Sequence, residues 1–195
     1  MARDNSTLED IDKTHTPSYF AVAGLTALAI VLKLKFFEIP YPAFPVFKYD
    51  LSGVPLAIIA YLSLKTYTAS ISIFLVASIA MGLDPIGMAM KVLAESSTCI
   101  PLVIITRGKQ VERRWEFRVV AVSTLVRVAS MTILNLIVTP HWLLIARWAG
   151  NYDEAFALTL GLMPHVWIFN ASIGLIVSTM AVETIRVLRK AGYLV

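Results

Sequence analysis

Six apolar runs, divided by prolines and by clusters of charge, lay out this 195-residue chain: about Tyr19 to Phe36, Leu51 to Leu64, Tyr67 to Leu83, Ile86 to Thr106, Val119 to Val138 and Pro164 to Val187. Runs of roughly 20 apolar residues cross a hydrocarbon core of about 30 Å as helices, because a helix satisfies its own backbone donors and acceptors. The apolar–polar alternation of a barrel is absent, so the pattern predicts an all-α integral membrane six-helix bundle. Asp84-Pro85 separates the third and fourth runs, and Pro140 stops the fifth. The segment His141 to Met163, with Trp142, Arg147, Trp148, Tyr152, Asp153 and Glu154, is less apolar and reads as an external loop holding a short interfacial helix.

Composition agrees with the pattern: 57% hydrophobic, 15% charged and a mean hydropathy of +0.73, more apolar surface than a water-soluble domain of this size buries. In such a chain the net charge of +4 reports topology rather than nucleic-acid binding. With the N-terminus inside, the cytosolic segments hold Arg3, Lys13, Lys65, Arg107, Lys109, Arg113, Arg114, Arg118, Arg186, Arg189 and Lys190. The outer segments hold only Lys33, Lys35, Lys48 and Arg147, so both termini are expected in the cytosol of a multi-pass protein of the cell membrane. Residues 1–17 carry Asp4, Glu9, Asp10 and Asp12 against Arg3 and Lys13. They read as a polar cytosolic tail rather than a cleavable signal, leaving 18–195 as a single membrane domain.

The candidate chemistry begins between the first two runs. Glu38 to Leu56 packs four prolines, four aromatics and Lys48-Tyr49-Asp50 into a length too short for another crossing. Pro40, Pro42 and Pro45 favour a stiff, extended, turning segment. Stiffness lowers the ordering cost of closing over a ligand, and the faces of Phe44 and Phe47 can cover a flat one; a rigid connector at the membrane interface is the competing reading. Lys91 and Glu95 lie four apart inside the fourth run, open to a mutual ion pair or a substrate-facing role. Arg127 and Asn135 share a face of the fifth helix, about two turns apart. Trp167, Asn170 and Ser172 open the sixth. An asparagine offers both donor and acceptor to a ligand, or serves as interhelical glue. Ala23 and Ala27 put small residues on one face of the first helix, where another helix can approach closely. Cys99 is the single cysteine and reads as packing. Neither a metal-ligand cluster nor a nucleophile with its base emerges, and His141 and His165 stand alone, so no enzymatic site is expected.

Phe47-Lys48-Tyr49-Asp50-Leu51-Ser52-Gly53-Val54-Pro55 resembles the K-Y-D-x-S-D-x-P signature after the first helix of S components of energy-coupling factor (ECF) vitamin transporters, most closely the riboflavin-type group. Thr132 to Pro140, with Asn135 shortly before the proline, is similar to that group's fifth helix. Pro164 to Gly174 is similar to the P-F-N-x-x-K-G pattern at the start of its sixth. Gly53 stands where the signature has its second acidic residue, and Ile173 stands where the family has a flavin-binding lysine. The resemblance implies a six-helix subunit that captures a vitamin from outside, riboflavin first, with no covalently bound cofactor. It also implies a transmembrane T component, which the small face of Ala23 and Ala27 would meet, and two ABC-type ATPases that alone use ATP. On this reading Phe44, Phe47 and Trp167 supply apolar contact, Asn135 and Asn170 orient the ligand, and Lys48, Asp50, Lys91 and Glu95 are further candidates for its site. Alternatives are an S component for another vitamin or flavin nucleotide, which Lys48, Lys91 or Arg127 would suit if acidic, and a structural or assembly subunit without a ligand.

Overall fold

The computed structural model of the protein describes residues 18–106 and 113–192. The expected acidic tail and the first half of the basic connector, including Arg107 and Lys109, lie outside the described residues. Six helices follow in order: α1 Tyr19–Leu32, α2 Gly53–Leu62, α3 Leu64–Ala80, α4 Pro85–Thr106, α5 Arg113–Ile145 and α6 Tyr152–Lys190. Between α1 and α2 lie a 3-10 turn, Lys35–Phe37, and two short strands, β1 Ile39–Pro40 and β2 Lys48–Tyr49. The chain is an all-α integral membrane bundle, although its helices are of unequal length. Among the described residues α4, α5 and α6 are long and apolar enough to cross a membrane, while α1, α2 and α3 are apolar helices of 10–17 residues.

The shortest helix is the most central. Every residue of α2 from Gly53 to Ala60 is buried, as an all-round apolar helix requires, and it packs against α1, α3, α4 and α6. Leu56, Ala57, Ile59 and Ala60 meet Ala29, Phe74, Leu102, Val103 and Ala181 in one continuous core. Ser63 breaks the chain in extended conformation, and its hydroxyl accepts the Thr66 N–H at 3.3 Å, capping α3. Lys65 therefore lies in the first turn of α3 rather than at the end of the second run. Thr26 of α1 donates to the Ser70 hydroxyl of α3 at 3.0 Å, a buried polar fastening between the two helices.

Three expectations need correction. The first helix stops at Leu32, not Phe36, and Lys33 turns inward to carboxylates instead of reaching for the interface. The fifth helix continues through Pro140 to Ile145; proline removes one ladder donor, but the apolar residues after it keep packing, and Leu143 is buried. The segment expected as an external loop is mostly helical, because α6 begins at Tyr152. Its cap is Asn151, whose side chain accepts the Glu154 N–H at 2.9 Å, with Asp153 and Glu154 in the first turn facing the positive end of the helix. At about 1.5 Å per residue the 33 residues of α5 and 39 of α6 form a hairpin about 50–58 Å long, well beyond a hydrocarbon core of about 30 Å. The far ends of its arms are joined by Arg186 and Glu116 at 3.2 Å.

Candidate functional site

The proline-rich segment folds back on itself as a hairpin. Ile39 pairs with Tyr49 and Pro40 with Lys48 in an antiparallel ladder, and the Tyr41 N–H bonds to the Phe47 carbonyl at 2.8 Å. Turns at Tyr41–Phe44 and Phe44–Phe47 close the tip, where prolines 42 and 45 need no ladder donor. The resulting cap is nailed to α6 by rings. Phe169 lies 5.1 Å from the Phe47 ring, 5.0 Å from Tyr49 and 6.0 Å from Tyr41, centroid to centroid, and the Tyr49 hydroxyl meets that of Ser172 at 2.8 Å. Aromatic pairs at such spacings contribute beyond the area they bury.

Beneath the cap is a cavity of about 370 Å³. Its roof carries Phe44, Phe47, Lys48 and Asp50; α4 contributes Met88, Met90 and Lys91; α5 contributes Arg127, Met131 and Asn135; α6 contributes Met163, Phe169, Asn170 and Ile173. Among these, four thioethers and three aromatic rings thus face the polar groups of the wall, the composition expected of a small-molecule site.

One wall of the cavity is a string of alternating charge. Lys48 lies 2.8 Å from Glu38, which also pairs with Lys33. Lys33 reaches Asp50 at 3.4 Å, Asp50 takes Lys91 at 2.9 Å, Lys91 takes Glu95 at 2.7 Å, and Glu95 takes Arg127 at 3.3 Å. Every carboxylate stands between two cations, which offsets the cost of burying it. Burial alone would push the Asp50 carboxyl up, yet Lys91 and Lys33, with the Ser52 hydroxyl, reverse this and hold it down at about 2. Glu38 likewise sits below its ordinary value, burial being outweighed by Lys33 and Lys48. Asp50 also accepts the Ser52 N–H at 3.0 Å, which shapes the turn into α2.

The two asparagines are partly committed to the protein. Asn170 accepts from Arg127 Nε at 3.2 Å and donates to the Val166 carbonyl at 2.9 Å. Asn135 donates to the Met131 carbonyl at 2.7 Å and accepts from the Thr139 hydroxyl at 2.9 Å. Each amide keeps one N–H and one lone pair for a ligand. Of the residues singled out in the sequence, Phe44, Phe47, Lys48, Asp50, Lys91, Asn135 and Asn170 share the cavity. Glu95 stands behind it, fully buried, and Trp167 faces outward, about half exposed, its indole donating to Thr132 at 3.0 Å. Ala23 and Ala27 are exposed on α1, and a side chain built at Gly24 between them would touch nothing. Phe169, Tyr41, Trp142 and the methionines were not foreseen. The 3–4 spacing of Val166, Phe169, Asn170 and Ile173 is the sequence signal that marks the cavity face of α6. Among the described residues no cluster of metal-ligating side chains occurs.

No protein-family model and no curated protein matches the sequence. A search of solved structures found the same fold in the S component of a bacterial ECF transporter, with a TM-score of 0.69 at 19% identity, covering 88% of this chain and 94% of that one. At that identity the likeness is one of fold.

Proposed function

We propose that this protein is the substrate-capture subunit of an ECF-type importer and that its ligand is a small, neutral, largely planar vitamin, riboflavin first. The observation that carries the reading is the cavity itself: a ring-rich cap over an apolar hollow, with two part-free amides and no cation that lacks a carboxylate partner. Lys33, Lys48, Lys91 and Arg127 each already pair with at least one of Glu38, Asp50 and Glu95. An acidic ligand would have to displace a carboxylate from each cation it approached, so charge balance favours riboflavin over its phosphate ester. The shared fold and the matching Lys48-Tyr49-Asp50 segment support the subunit assignment.

On this reading the cap faces outward and both termini face the cytosol. Phe44, Phe47 and the methionines supply contact area, while Asn135 and Asn170 orient the heterocycle. The exposed small face of Ala23, Gly24 and Ala27 meets a transmembrane T component, and two ABC-type ATPases provide the work of release. A second reading, a less polar vitamin than riboflavin, is favoured by Ile173, which is buried and lines the cavity where the resembled family has a lysine. Titration of the purified protein with riboflavin and with flavin mononucleotide, followed by quenching of flavin fluorescence, tests the choice. Riboflavin is expected to bind below micromolar concentration and at least about tenfold more tightly than the nucleotide. A site that takes neither overturns the flavin assignment, and one that prefers the nucleotide overturns the argument from charge.

A further inference from the structure

Glu95 is fully buried in α4 and does not line the cavity, yet it holds two groups that do. One of its oxygens, Oε1, receives both the Lys91 ammonium at 2.7 Å and the Arg127 guanidinium at 3.3 Å. These are ion-pair contacts, since neither oxygen of the buried carboxylate accepts a hydrogen bond. The second oxygen, Oε2, lies against the backbone of Gly53, the first residue of α2: a Cβ built there would fall 2.1 Å from Oε2 and 2.8 Å from the carboxyl carbon. Carboxylate and side chain cannot share that volume. The carboxylate also sits where the positive end of α2 favours an anion.

Position 53 is where the resembled signature has its second acidic residue and this chain has glycine. We infer that Glu95, from α4, occupies the space a residue-53 side chain would fill and from there positions Lys91 and Arg127 in the cavity wall. Without it Lys91 keeps only Asp50, and Arg127, almost wholly buried, keeps the Thr98 hydroxyl and the Asn170 amide but no counter-ion. A buried cation stripped of its anion moves or drags its neighbours with it. Through the Arg127–Asn170 bond the disturbance reaches the ligand-orienting amide.

The full-length protein in detergent tests this with Gly53→Ala, Glu95→Ala, and the pairs Gly53→Ala/Glu95→Ala, Gly53→Asp/Glu95→Ala and Gly53→Asn/Glu95→Ala. Thermal unfolding without ligand and riboflavin titration are both read. Gly53→Ala is expected to lower the midpoint in the wild-type background and to do so less beside Glu95→Ala, where the 3.0 Å approach to Val177 Cγ1 is all that remains. The Asp/Ala pair is expected to regain the midpoint and to bind within about tenfold of wild type, whereas the Asn/Ala pair, equal in shape but uncharged, does neither. Equal effects of Gly53→Ala in both backgrounds, or no advantage of Asp over Asn, overturn the inference. The binding arm rests on the proposed function. If the wild type takes no riboflavin, that proposal falls while the ligand-free midpoints still decide the role of Glu95.

Discussion

Replacing Asp50 by Asn removes one link of the charge string while keeping its shape. The carboxyl is ordinarily near 3.8 and is held at about 2 in the fold, burial being overcome by Lys91 and Lys33. At about 1.4 kcal/mol per pH unit, that difference contributes about 2 kcal/mol to stability. Because the folded value is depressed, the contribution is fully present above about pH 4 and is lost as the pH falls through about 2. Equilibrium unfolding of the detergent-solubilised protein, followed by tryptophan fluorescence, should place Asp50→Asn about 2 kcal/mol below wild type at neutral pH. The gap should close between about pH 4 and pH 2, where the wild-type side chain becomes neutral like the amide. Subtracting the variant cancels Glu38, which titrates in both proteins. A gap that is absent at neutral pH, or that persists unchanged into acid, would refute the account of Asp50 as a charged link between Lys33 and Lys91.

Phe169→Ala removes the ring on which Tyr41, Phe47 and Tyr49 rest and should cost about 2–4 kcal/mol in unfolding free energy and most of the ligand affinity. Trp167→Phe, two residues away but facing outward, should lose only its bond to Thr132, about 1 kcal/mol, and leave the binding constant unchanged in the same titrations. Asn151→Ala removes the cap of α6 and should lower stability by about 1 kcal/mol with no effect on ligand affinity, whereas an external loop at that position would tolerate the change.

The number of helices could be read from the apolar runs, because proline and charge mark their limits, and the cap could be read from three prolines in six residues. The extent of α5 and α6 is set by local chemistry that the hydropathy pattern does not show. Pro140 reads as a stop, yet a membrane helix tolerates proline, and the polarity of 151–154 reads as a loop, yet Asn151 followed three residues later by Glu154 is a helix-start signal. At the site, the partners within one helix could be read and those between helices could not. Lys91 and Glu95 are four apart on α4, but the pairing of Asp50 with Lys33 and Lys91, and of Glu95 with Arg127, depends on how α1, α4, α5 and the cap meet in space. Trp167 is expected at the site as an apolar ring in the first turns of the sixth run, three residues before Asn170. Helical spacing admits Val166 as well, and the rows through Ile173 and Phe169 select the latter face.

The central claim is that the hollow beneath the cap holds a small molecule. Native mass spectrometry of the protein purified in detergent, beside Met131→Trp, tests it, because Met131 is buried in the cavity wall and an indole there would fill the space. The account predicts one small-molecule adduct per chain in the wild type, after loading with riboflavin or as purified, and none in a variant whose ligand-free unfolding midpoint is unchanged. An adduct retained by the filled variant, or none in either protein, would contradict it.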